Sequence, residues 1–127
     1  MYFNGMKNKT KGQMEAEISE AMIRFEKEHM GRGPEEAKTY ILRDVVFVRL
    51  KGVLTKAEKR LAKTLNGIEL LKKVRMELLE TSRAILENTI SEIVGAKVLS
   101  LHTDISTRTG ERVIIFVLNR NIESDSI

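Results

Sequence analysis

The chain has 127 residues, 42% of them hydrophobic and 31% charged, which is enough for one core and too little for two. It contains no cysteine, so disulfides, thiolate metal sites and cysteine nucleophiles are excluded. The net charge of +4 owes much to Lys7, Lys9 and Lys11, and aromatic residues are only 5%, a poor basis for stacking nucleic-acid bases.

In chain order, residues 1–13 are polar and lysine-rich and read as a disordered basic arm. A single domain is expected over 14–123, with 124–127 a frayed tail. The first helix is predicted from about Met14 to about Met30, with Met14, Ile18, Ala21, Met22 and Phe25 as its apolar stripe. Gly31-Arg32-Gly33-Pro34 stops it. Ala37–Leu42 and Val45–Leu50 read as two strands around an Arg43-Asp44 turn. Thr55 and Glu58 spell a capping box for a short helix, which Asn66-Gly67 separates or kinks from a long one over 67–95. On that long helix Leu71, Val74, Leu78, Ile85, Ile90 and Ile93 mark one face. Lys97–Ile105 and Arg112–Leu118 form the last two strands, joined by a polar turn.

The order is α-β-β-α-α-β-β. It predicts an α+β fold, a four-stranded antiparallel sheet with helices packed on one face. The last strand is apolar on both sides, Val113, Ile115 and Val117 on one and Ile114, Phe116 and Leu118 on the other. With Val45 and Phe47 assigned to the second side, Val45, Phe47, Ile114, Phe116 and Leu118 form a surplus apolar face that needs a cover. A homodimer is the expected cover. No run approaches the roughly 20 apolar residues of a membrane span, and there is no signal-peptide core. The expectation is a cytoplasmic protein, peripheral to the membrane only through a partner.

Sites are sparse. His102 and Asp104 stand two apart on one strand and share a face, as a base with its orienter or two metal ligands would; the plain alternative is a polar strand end. Gly31, Arg32 and Gly33 either stop a helix or form a backbone nest for a carboxylate, phosphate or bicarbonate. Arg49, Lys51, Arg108 and Arg112 lie in or beside strands, and Arg49 and Arg112 are the candidates to join Arg32 around an anion. No catalytic motif is present, so no catalytic residue, metal or cofactor is assigned.

The segments GRGPEEAKTYI, VVFVRLKGVLTKAEKRLAKT, the helix beginning near KKVR and the closing LHTDISTRTGERVIIFVL together resemble the MpsC-like family. The resemblance covers residues from about 14 to 123, and its most specific pieces are Gly31 to Pro34, the Leu54 to Leu61 segment and the Asp104 to Phe116 hairpin. It implies a component associated with a sodium-translocating, membrane-potential-generating system. The implied role is a non-enzymatic accessory or regulatory subunit, with a membrane transport subunit as partner. A small-anion sensor is the alternative reading, and nucleic-acid binding through the lysine arm a third.

Overall fold

The computed structural model describes residues 9–123. Thr10 opens the first helix, α1 (Lys11–His29): its hydroxyl accepts the Gln13 N–H, and the Gln13 side chain accepts the Thr10 N–H. This reciprocal cap satisfies two otherwise orphaned donors, and it starts the helix upstream of Met14. Lys9 and Lys11 therefore do not belong to an arm. Lys9 pairs with Glu17 and Lys11 with Glu123, each at 2.8 Å. The remainder of the expected arm, residues 1–8, and the expected tail, 124–127, lie outside the described residues.

A hairpin follows, β1 (Glu36–Leu42) and β2 (Val45–Lys51), turning through Arg43 at φ 58°. Thr55 and Glu58 cap the short helix α2 (Lys56–Leu61) as their spacing predicts. The long helix α3 (Leu65–Val94) is capped by Thr64 and ends at Gly95, which takes the left-handed conformation at φ 66°. Gly67 is thus inside α3 and not a break before it. A Cβ there would sit 1.7 Å from the Leu61 carbonyl oxygen, so glycine is what allows α2 and α3 to meet this closely. The second hairpin is β3 (Val98–Ser106) and β4 (Glu111–Leu118), with a register irregularity between Val98 and Ser100.

The two hairpins join through their inner strands. The sheet order is β1-β2-β4-β3, all antiparallel, and α1 and α3 pack on one face, over β1 and β3 respectively, touching each other. Val46, Val48, Leu50, Ile114, Phe116 and Leu118 point at the helices, none more than 1% exposed. Ile114, Phe116 and Leu118 therefore belong to the core and not to an open face. The register pairs Phe47 with Ile115 and Val45 with Val117, so Val45 and Phe47 share the other face with Ile115 and Val117. Parity across neighbouring strands follows the register, which the order of residues within each strand does not specify. The chain beyond β4 also adds to the core: Ile122 is 1% exposed and donates its N–H to the Arg43 carbonyl.

The long helix turns inward a stripe that keeps Leu71 and Ile90 of the expected one, with Ile93 partly buried beside it, but departs from it elsewhere. Leu71, Arg75, Leu79, Ser82, Leu86, Ile90 and Val94 are buried, whereas Val74, Leu78 and Ile85 are exposed. Two aliphatic stripes run along α3. The one that carries an arginine is the one that packs.

Candidate functional site

The three arginines expected around one anion, Arg32, Arg49 and Arg112, do not meet. Arg32 folds back on Glu35, with Nη2 donating to Oε2 at 3.3 Å. Arg49 is exposed on the outer sheet face and bonds to Glu111. Arg112 alternates with Ile114 and Phe116 and so lies on the inner face, 2% exposed. His102 and Asp104 are both exposed on the edge strand but bond elsewhere: His102 Nε2 meets the Ser100 hydroxyl at 3.1 Å, and Asp104 accepts from Lys72 at 3.4 Å and from the Ile105 N–H at 2.8 Å. Among the described residues there is no cluster of three or more histidines and carboxylates able to hold a metal ion.

What the fold does assemble is a buried ion quartet from four elements. Glu26 on α1 is 0% exposed, Arg75 on α3 is 3% and Arg112 on β4 is 2%; Glu58 on α2 is the fourth member. Each inward position follows from periodicity. Glu26 continues the Ile18, Met22 row of α1, Arg75 lies between Leu71 and Leu79 on α3, and Arg112 continues the alternation of β4. Arg75 grips Glu58 with a two-pronged contact, Nε to Oε2 at 3.0 Å and Nη2 to Oε1 at 2.9 Å, and Nη2 also donates to the Val53 carbonyl at 2.9 Å. Arg112 donates Nη1 to Glu26 Oε2 and Nε to the Thr103 hydroxyl, both at 3.3 Å. Thr103 in turn donates to the Val113 carbonyl at 2.7 Å.

The electrostatics are uneven. Burial pushes the Glu26 carboxyl above the ordinary carboxylate range, against the pull of Arg112 and Arg75. Burial likewise lowers the Arg112 guanidinium from its ordinary value, Glu26 notwithstanding. Glu58 also feels burial, but the Arg75 fork and the Thr55 cap together hold it below the ordinary range. Taking charges out of water costs several kcal/mol per ion, and only full hydrogen bonding offsets it. Here it is not full. Glu26 Oε1 and Arg75 Nη1 are buried without hydrogen-bond partners and stand 3.9 Å apart.

Next to the quartet a cavity of about 120 Å³ opens between α3 and the β3–β4 hairpin, lined by Lys72, Arg75, Met76, Thr103, Asp104, Ile105 and Arg112. Of the residues expected to bind an anion, Arg112 alone belongs here. Sequence reasoning missed Glu26 and Arg75, and assigned Glu58 only its capping role. The signal was present, as charged residues in the registers of apolar stripes.

These features define a two-layer α+β domain with helices on one face of its sheet, an opposite face that no helix among the described residues covers, and an ion quartet largely buried between the layers. Residues 10–120 match the family model described as Na+-translocating membrane potential-generating system (MpsC), and the chain belongs to that family. Among its relatives in Bacillus subtilis (strain 168), uncharacterized protein YbcI is 44% identical over 117 residues, spanning 92% of this chain and 94% of that protein. Uncharacterized protein YrhF is 29% identical over 109 residues, spanning 84% and 88% respectively. No solved structure matches the chain. Among the described residues no helix is long and apolar enough to cross a membrane.

Proposed function

We propose that this chain is a non-enzymatic accessory module of a sodium-translocating, membrane-potential-generating system, acting as a homodimer closed through its outer sheet face. Family membership supports the association with that system. The observation that carries the dimer is the apolar face that no helix among the described residues covers. The register sets its rows: Tyr40, Phe47, Ile115 and His102 form one, and Leu42, Val45, Val117 and Ser100 the next. Tyr40 and Phe47 stack at 6.0 Å between ring centroids, and Tyr40 and Leu42 are 49% and 64% exposed. Apolar sheet faces pack about 10 Å from a second sheet when one is available.

Two features favour a second copy of the face over strand addition at an edge. Both edges are already blunted from the helix layer: Glu15 accepts the Ile41 N–H on β1 at 2.8 Å, and Arg83 donates to the Leu101 carbonyl on β3 at 3.3 Å. The face is also self-complementary in charge. Lys38, Arg49, Val113 and Asp104 make a third row, with a cation at one end and a carboxylate at the other. A two-fold axis parallel to the strands lays β1 of one copy over β3 of the other and brings Lys38 opposite Asp104 of the second copy.

Light scattering coupled to size exclusion is expected to give the dimer mass at micromolar concentration, and Phe47→Lys to give the monomer mass with an unchanged far-ultraviolet circular dichroism spectrum. A wild-type monomer at every concentration up to about 100 µM, far above the dissociation constants of stable dimers, would remove the proposal. Lys38→Glu is expected to weaken the dimer and Asp104→Lys to restore it when combined, whereas additive losses would rule out the axis.

A further inference from the structure

The quartet does not use every guanidinium donor. Arg75 uses Nε and Nη2 on Glu58 and Val53, and Arg112 uses Nη1 and Nε on Glu26 and Thr103. Arg112 Nη2 makes no hydrogen bond among the described residues, whereas Arg75 Nη1, also without a hydrogen-bond acceptor, lies 3.9 Å from Glu26 Oε1 inside the quartet. Both side chains line the 120 Å³ cavity, together with Lys72. Glu26 and Glu58 do not. They stand behind the guanidiniums and hold them in place, so the wall itself presents three cations and one carboxylate, Asp104. That carboxylate is already engaged by the Ile105 N–H and by Lys72. Thr103 spends its proton on the Val113 carbonyl while accepting from Arg112, and therefore orients Arg112.

From this arrangement we propose that the cavity is a binding site for a small oxyanion of phosphate size or less, held by Arg75, Arg112 and Lys72. The cavity has room for several water-sized groups, which suits a five-atom oxyanion and excludes a nucleotide. Ile105 and Met76 supply apolar wall, which lowers the local dielectric and strengthens charge-assisted bonds to the guanidinium edges. An arginine fixed by a carboxylate behind it loses little freedom on binding, the preorganisation that planar oxyanion recognition favours. The cavity faces the helix layer, on the side of the sheet opposite the proposed dimer face; Asp104 borders both, so the anion test varies Lys72 and leaves Asp104 in place.

The test is calorimetry of the whole chain with inorganic phosphate at fixed ionic strength, chloride making up the balance. Saturable one-site binding is expected, weakened roughly fivefold in Lys72→Ala, the size of losing one charge-assisted contact at a half-exposed side chain, and abolished in Lys72→Glu. Lys72 lies outside the quartet, so these variants keep their fold, which circular dichroism checks. Lys38→Ala, on the outer face, is expected to bind as wild type does. Absence of saturable binding up to about 20 mM phosphate, an affinity weaker than millimolar, would overturn the proposal. So would unchanged affinity in both Lys72 variants, or an equal loss in Lys38→Ala.

Discussion

Glu58 serves two structures at once: its carboxylate caps α2 at the Thr55 N–H and receives the Arg75 fork. Its pKa lies below the ordinary value, so its stabilising contribution is fully present above the unfolded pKa and is lost as pH falls through the folded one. Glu26 has the opposite sign. Its pKa is raised by burial, so its contribution is greatest in acid and declines as pH climbs through the ordinary value toward the folded one. Acidification thus weakens the α2 end of the quartet while relieving the α1 end. Glu58→Gln is expected to cost about 2 kcal/mol at neutral pH, below the loss for a fully buried pair because Glu58 keeps some solvent contact. Urea unfolding from pH 7 down to pH 3 should show the gap from wild type closing as Glu58 protonates. A gap independent of pH would mean that the charge of Glu58 contributes nothing.

At the scale of elements, the strands, their pairing into two hairpins and the α2 cap could be read from the residues, because turn residues, alternation and the Thr55 to Glu58 spacing each have one cheap solution, whereas the order of strands across the sheet could not. The long helix could not be read as well. Its two aliphatic stripes are equivalent by spacing, and Arg75 made the packed one look like the solvent side. Only a carboxylate delivered by another element resolves that, and Glu58 and Glu26 come from α2 and α1. Gly67 was a true signal with a different meaning, marking a close crossing where a break or kink was expected. Gly67→Ala is accordingly expected to destabilise the domain by about 3 kcal/mol, more than the usual helix preference for alanine returns, since the methyl group meets a backbone oxygen that cannot step aside. Thermal unfolding measures it, and a neutral or stabilising effect would contradict the packing of α2 on α3. The candidate site was illegible for the same reason as the helix. Arg112 was identified as a residue, but its neighbours depend on which face of β4 the helices choose.

The whole molecule is two helix-plus-hairpin halves sewn together along β2 and β4. Residues paired across that seam are separated by roughly 60–70 positions in sequence, while each hairpin pairs close neighbours. Closing a loop of that length costs chain entropy before any contact compensates for it, which slows folding. The hairpins and helices are therefore the units that organise early, and the seam is the late event. Ile114→Val, which trims a fully buried side chain in the seam strand, is expected to lose about 1 kcal/mol. That loss should appear chiefly as a faster unfolding limb in stopped-flow traces, with refolding nearly unchanged; a slowed refolding limb would place the seam in the nucleus instead. The order of assembly has a further consequence for a chain made vectorially. Its first half can emerge with β2 formed but its inner edge unpaired, so this nascent chain carries an open strand edge until β4 has been synthesised.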